Sequence, residues 1–330
     1  MRITDRIFVA GHTGLLGSAL VRRLRARGFD NLLLPTHSDL ELTNTTEVRR
    51  FFSQERPNHV FLAAAVVGGI LANYSRPVDF IVRNLQIQTN VIDEAYRASV
   101  ERLFFVGSSC IYPKLAEQPL RETALLSGPL ESTNRPYAVA KIAGIEMCWA
   151  YNRQFGTRFM AGMLTNLYGP GDNYHPTGSH LIPALLRRMH EAKLKGASEV
   201  VIWGTGAPRR EFLYSDDAAN ACIVLMSLSN EKLAGLLEDP SNPPIVNIGW
   251  GEDSTIKEVA ELIRQTVDCK CKLIFDSSKP DGTPRKLLDT RRMNDWGWKP
   301  QMILREGLER TYLDLCSRWS DIDSKVEVTI

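Results

Sequence analysis

The stretch VAGHTGLLGSALVRRL, Val9 to Leu24, decides the fold. It closes a short apolar run, Ile7 to Ala10, of strand length, and then places Gly11, Gly14 and Gly17 at G-x-x-G-x-x-G spacing before a helical period that starts near Leu15. Strand, glycine turn and helix in that order form a dinucleotide cradle. The first glycine permits the tight turn, the second lets backbone approach a pyrophosphate, and the third packs helix against strand. Amides at the helix N-terminus then face the phosphates. Three glycines alone would also serve a plain turn; their place after the chain's first strand favours the cradle, with Gly11, His12, Thr13, Gly14, Leu15, Leu16 and Gly17 as the cofactor loop.

Outward from this loop, strand-like runs alternate with helical periods. RIFVA precedes Leu15 to Arg27, NLLLP precedes Thr45 to Glu55, HVFLAAA precedes Asn84 to Ala98, and RLFFVGSS follows. Such alternation predicts an α/β fold, a Rossmann-type doubly wound parallel sheet with helices on both faces. Ligands in these sheets collect at the carboxyl ends of the strands, which sets Gly11, His37, Ala65 and Ser108 along one crevice. After about residue 165 the rhythm changes to loops rich in Gly and Pro, NLYGPGDNYHPTGSH and SSKPDGTPRK, and a smaller α/β lobe is expected. The segment REFLYSDDAANACIVLMSL reads as strand, turn and helix returning to the first lobe. The expected division is therefore 1–166 for the NADP-binding lobe, rejoined by about 212–230, with 167–211 and 231–330 for the substrate lobe.

Composition excludes several classes. Over 330 residues, 40 basic against 38 acidic side chains leave a net charge of +2, with no basic footprint for nucleic acid. The longest apolar stretch, Val60 to Ala72, contains two glycines and falls short of the ~20 residues a membrane span needs. No secretory leader is evident at the N-terminus, so a cytoplasmic protein is expected. Six cysteines are scattered, and the Cys269-x-Cys271 pair lacks a second pair at zinc spacing, so no metal is expected. Cys148 and Cys222 lie in apolar helical contexts; Cys110, in the polar turn GSSCIYP, raises a chemical question.

At the end of the second strand, LPTHSD offers donors from Thr36, His37 and Ser38, while Asp39 comes late for a ribose acceptor. This favours NADP over NAD. In NRPYAVAKIAGIE, Tyr137 and Lys141 stand four apart in a helical pattern opened by Pro136, on one face. A free phenol, with a pKa near 10, needs a neighbouring cation to exchange protons at neutral pH, and Lys141 can supply it. Alone, the pair equally suits an amphipathic surface.

Glycine loop, Ser108 and Tyr137-x-x-x-Lys141 together resemble the extended short-chain dehydrogenase/reductase superfamily. The resemblance implies that Tyr137 exchanges a proton with a sugar oxygen, Ser108 hydrogen-bonds it, and Lys141 also holds the nicotinamide ribose. Sugar dehydratases of that superfamily commonly carry Asp-Glu after this serine; here Ser109 and Cys110 follow, which disfavours dehydration. A thiol of tuned pKa can instead move a proton on carbon. GSSCIYPK, YAVAKIAGI, TNLYGP, SHLIPALLRR, WGTGAPRREFL and KPDGTPRKLLD, spread from Ile7 to about Tyr312, are similar to the GDP-L-fucose synthase family of bifunctional epimerase/reductases.

That similarity implies an acid–base pair, Cys110 and His180, inverting C3 and C5 of a GDP-linked 4-keto-6-deoxysugar. It implies NADPH as hydride donor, Asn166, Leu167 and His180 on the cofactor side, GDP contacts at Arg188, Trp203, Arg210 and Lys286, and a homodimer. Ser179 is expected to cap the helix that begins near Leu181. Related enzymes run the same chemistry toward GDP-colitose or GDP-6-deoxy-heptose. The chain departs from the family where arginines suited to a 2′-phosphate are frequent, with Thr13 and His37 in their places, and carries Val66 where a lysine is frequent.

Overall fold

The computed structural model of the chain describes residues 1–176, 178–279 and 281–327. Its centre is a six-stranded sheet in which every pairing is parallel. With β1 at Ile7–Ala10, β2 at Leu32–Leu33, β3 at His59–Leu62, β4 at Arg102–Ser108 and β5 at Phe159–Leu164, the order is Ile245–Ile248, β5, β4, β3, β1, β2. Every residue of β1 and β3 is buried. A strand covered on both faces has no use for a polar one, so β1 and Val60–Leu62 of β3 are apolar throughout, and the buried His59 that opens β3 is paired through Nε2 with Asp5 at 3.0 Å.

Alternate residues of β1 supply two cores. Phe8 packs on one face against the rings of Phe51 and Phe52, at 4.7 and 5.9 Å between centroids. Ile7 and Val9 face Leu20 and Leu24 of the helix α1, Leu15–Arg25. The helix Ser215–Ser227 adds Ala218 and Cys222 to that second core, so the chain returns to the sheet near the expected place.

The return runs further than the sequence indicated. Ile245–Ile248 pairs with β5 as an edge strand of the sheet, and Met293 and Trp298 join the core around Leu20, although 231–330 reads as substrate lobe. The strand IVNI is too short to declare its partner; burial of all four residues against β5 fixes it.

The smaller lobe is built on the helices Leu181–Lys195 and Ile256–Val267, whose Leu185, Leu186, Val259 and Ile263 share a third core. Flanking it are a parallel pair, Glu199–Trp203 with Lys272–Asp276, and a three-stranded patch of Ser254–Thr255, Arg209–Arg210 and Arg285–Lys286. Among the described residues no helix is long and apolar enough to cross a membrane.

Candidate active site

Strand order reverses beside β1, whose neighbours on its two sides are β3 and β2, and the cleft opens at their carboxyl ends. There the glycine loop makes its turn. Gly11 has φ +82°, and a Cβ on it would lie 2.7 Å from the Ala64 amide nitrogen. A Cβ on Gly17 would overlap the Gly11 carbonyl. Gly14 differs, because its added Cβ would meet protein only at an ordinary 3.5 Å. Two glycines thus serve the loop's own packing, and the third, at the N-terminus of α1, leaves backbone open to a ligand.

A cavity of about 660 Å³ extends from this loop toward the smaller lobe. Its wall holds the whole predicted loop from Gly11 to Gly17, His37, Ala65, Asn166, Leu167, Ser108, Tyr137, His180 and Lys286. Asn166 is held by donating from Nδ2 to the Glu211 carbonyl at 2.8 Å. Asp39, which the sequence sets late for a ribose, is committed elsewhere: its Oδ2 accepts from the Thr36 amide at 2.9 Å and the Thr36 hydroxyl at 2.6 Å. His37 pairs through Nε2 with Glu41 at 2.9 Å.

The polar turn after β4 accounts for the thiol. Ser108 ends the strand, and its Oγ accepts from the Cys110 amide at 3.4 Å, capping a single turn, Ser109–Ile111, that tucks Cys110 inward until it is 6% exposed. Burial pushes the thiol up; the cations Lys286 and Lys141 and the Ser108 hydroxyl oppose that. Across the site Tyr137 and Lys141 lie on the helix Arg135–Phe155, with Pro136 in its first turn. Lys141 is 3% exposed, donates from Nζ to the Val106 carbonyl at 2.7 Å, and stands 5.7 Å from the centre of the Tyr137 ring. Burial brings its pKa down to about 8, against the pull of Cys110.

The phenol behaves differently from expectation. Sequence reasoning has Lys141 lowering it, yet burial pushes Tyr137 up and the neighbouring Cys110 adds to the rise. The first cause is that desolvation penalises the phenolate anion. A phenol kept neutral in this way retains its proton.

His180, not Ser179, occupies the position before the helix Leu181–Lys195, and its side chain makes no capping bond. Ser179 instead donates its amide to the His175 carbonyl at 3.3 Å. The imidazole meets the cavity, while desolvation and then Lys286 hold its pKa down. Lys286 is thus the group common to both members of the expected acid–base pair. Its own pKa is lowered by desolvation, raised by Cys110, lowered by Arg210 and raised by Glu131. Sequence reasoning gave Lys286 only a GDP contact; its register partner Arg210, across paired strands, explains how it arrives beside the thiol.

Arg188, Trp203 and Arg210 lie outside the cavity wall. Alternation along Glu199–Trp203 turns Val201 and Trp203 outward together, leaving Trp203 59% exposed with the Lys279 ammonium 5.5 Å above its ring. Arg188 donates from Nη1 to the Val201 carbonyl at 3.1 Å, on that same patch. A flat aromatic face beside cations suits a base and its phosphates.

A parallel sheet with a glycine cradle at its switch point, Ser108 at the end of β4, and Tyr137 and Lys141 on the helix beside it describe a Rossmann-type dinucleotide-dependent oxidoreductase. Residues 7–249 match the NAD dependent epimerase/dehydratase family, and the chain belongs to it. GDP-L-fucose synthase 1 of Arabidopsis thaliana is 56% identical over 307 residues, 93% of this chain and 92% of that protein. GDP-L-fucose synthase of Escherichia coli K12 is 51% identical, covering 93% of this chain and 95% of its own length. Among solved structures, a GDP-D-glycero-L-gluco-heptose synthase from Campylobacter jejuni, crystallised in the presence of NADPH, superposes with a TM-score of 0.88 at 37% identity, over 96% of this chain and 99% of that one.

Proposed function

We propose that the chain is an NADPH-dependent enzyme that epimerises GDP-4-keto-6-deoxy-D-mannose at C3 and C5 and reduces its 4-keto group, giving GDP-L-fucose. The observation that carries this reading is that Ser108, Tyr137, His180 and Lys286 share one cavity wall, with Cys110 and Lys141 close behind it, in a chain 51–56% identical to proteins named for that activity.

The residues fit a dinucleotide: Gly14 leaves its backbone open where Gly11 and Gly17 have no room for a side chain. The loop from Gly11 to Gly17 would hold the pyrophosphate, with Ala65, Asn166, Leu167 and Lys141 along the nicotinamide half. When bound, the cofactor supplies a hydride to the carbonyl carbon. The chain's own groups do the rest. Ser108 and Tyr137 donate to the ketone oxygen, which acidifies the C–H bonds on both adjoining carbons, so one carbonyl serves both inversions. Cys110 and His180 take a proton from one face and return one on the other. Tyr137 gives its proton to the oxygen as the carbonyl is reduced.

Arg188, Trp203 and Arg210 would seat the GDP, with Lys286 between the diphosphate and the sugar. A homodimer belongs to this reading. Val82 and Val139 are exposed on two segments in contact, Asp79–Arg83 and Arg135–Phe155, and with Tyr74 and Val78, exposed just before them in the chain, are the side chains we assign to contact with a second copy. Light scattering on the purified protein tests it. A cytoplasmic location is part of the proposal, on composition alone.

The test is turnover of the ketosugar with NADPH in deuterated water, read by NMR and mass spectrometry. GDP-L-fucose carrying deuterium at C3 and C5 is expected; unconsumed NADPH and unchanged sugar would defeat the proposal. Similarity to the heptose synthase supports a second reading, the same chemistry on a GDP-heptose or colitose precursor. Ratios of kcat/KM on the three ketosugars choose between them.

A further inference from the structure

We infer that Arg83 supplies the cation that holds the 2′-phosphate of NADP in this chain, in place of the arginines absent at positions 13 and 37. The inference rests on the NADPH reading above. Three observations carry it. Arg83 lines the cofactor cavity, and Ile87, one helical turn on, lines it too, so this helix face meets the ligand space. Among the described residues its side chain makes no hydrogen bond or ion pair, yet it lies close enough to Glu41 to act on that carboxylate. Arg83 is also adjacent in space to the position where the family's lysine is frequent.

That adjacency is built by Asn84. Its Oδ1 accepts from the Val66 amide at 2.8 Å, and its Nδ2 donates to the Val66 carbonyl at 3.0 Å and the Phe80 carbonyl at 2.7 Å. The clamp fixes the loop after β3 to the start of the helix Asn84–Arg97, so Arg83 is held at the cavity mouth beside Val66. Arg83 also ends a single π-turn, Asp79–Arg83, a local widening often found at functional sites.

The neighbouring carboxylates are already engaged. Glu41 accepts at Oε1 from the Thr43 amide and hydroxyl, at 2.9 and 2.8 Å, and pairs at Oε2 with His37. Asp39 is bound to Thr36. Glu41 is thereby committed at both oxygens and Asp39 at Oδ2. A guanidinium can grip two oxygens of a phosphate monoester at once, which a neutral hydroxyl cannot repel or replace.

The experiment is calorimetric titration of NADP+, NAD+ and adenosine 2′,5′-bisphosphate into the wild-type protein, Arg83→Gln and Arg83→Lys. Expected are a Kd for NADP+ and for the bisphosphate weakened at least about tenfold in Arg83→Gln, partial recovery in Arg83→Lys, and NAD+ binding within about twofold throughout. Unchanged NAD+ binding also reports that the variant is folded. Equal losses for NADP+ and NAD+ would place Arg83 at the pyrophosphate and overturn the inference, as would NADP+ affinity untouched by the substitution. Wild-type protein binding NAD+ more tightly than NADP+ would instead remove the cofactor reading on which it rests.

Discussion

The two sides of the cleft are assembled differently. On the cofactor side, Gly11, Gly14 and Gly17 lie within seven consecutive residues, and Tyr137 and Lys141 share one helix face. On the substrate side, Cys110, His180, Arg210 and Lys286 come from four distant segments, and Lys286 reaches the thiol only because Arg285–Lys286 pairs with Arg209–Arg210. Local geometry suffices for the first. The second exists only when both lobes are folded and docked, so its electrostatics are set by contact between them.

Substitutions can separate the sides. The largest effect is expected for Tyr137→Phe, which removes the proton given to the ketone oxygen: NADPH oxidation should fall about 10³-fold, while deuterium entry at C3 and C5 persists in part. Complete loss of exchange would mean that Ser108 alone cannot support the enolate, erasing the distinction. Cys110→Ser is expected to do the opposite. It should slow exchange at C3 and C5 by about 10²-fold and leave the Kd for NADP+ where it was; wild-type exchange rates would take the thiol out of the chemistry.

A smaller change is expected further from the reacting carbons. Trp203→Ala should raise KM for the GDP-sugar by about three- to tenfold at unchanged kcat, the loss of one stacking face. A fall in kcat instead would place the ring nearer the chemistry. The mildest test is pH. Because Lys141 is held down to about 8, its ammonium is intact below that value and lost above it. The rate of reduction should therefore decline severalfold as pH climbs from 7.5 to 9 (about one proton), and a flat profile would show that a neutral amine suffices.

Much of this was legible before any coordinates. The alternation of apolar runs and helical periods announced the parallel sheet, because strands buried on both faces must be apolar throughout. Glycine spacing located the cradle, because steric exclusion at Gly11 and Gly17 acts between residues close in the chain or between neighbouring strands. Ile245–Ile248 lies on the other side from the one expected, since a four-residue strand, IVNI, carries no mark of which sheet it joins. The cap was misplaced by one residue because serine is the better capping side chain, whereas the fold leaves His180 uncapped and facing the cavity. Arg83 passed unnoticed in a run, DFIVRN, with no motif; its signal is a cation on the same helical face as Ile87.

From the amino-acid order alone came the dinucleotide cradle, the tyrosine–lysine pair and the sheet that presents them, because each depends on repeats of two, three or four residues along one chain. The tertiary structure decided what surrounds Cys110, how far the Tyr137 phenol is driven up, and which cations meet His180 and the mouth beside Val66. Those are sums over charges and desolvation from segments as far apart as Cys110 and Lys286, and no spacing in the sequence encodes a distance between them.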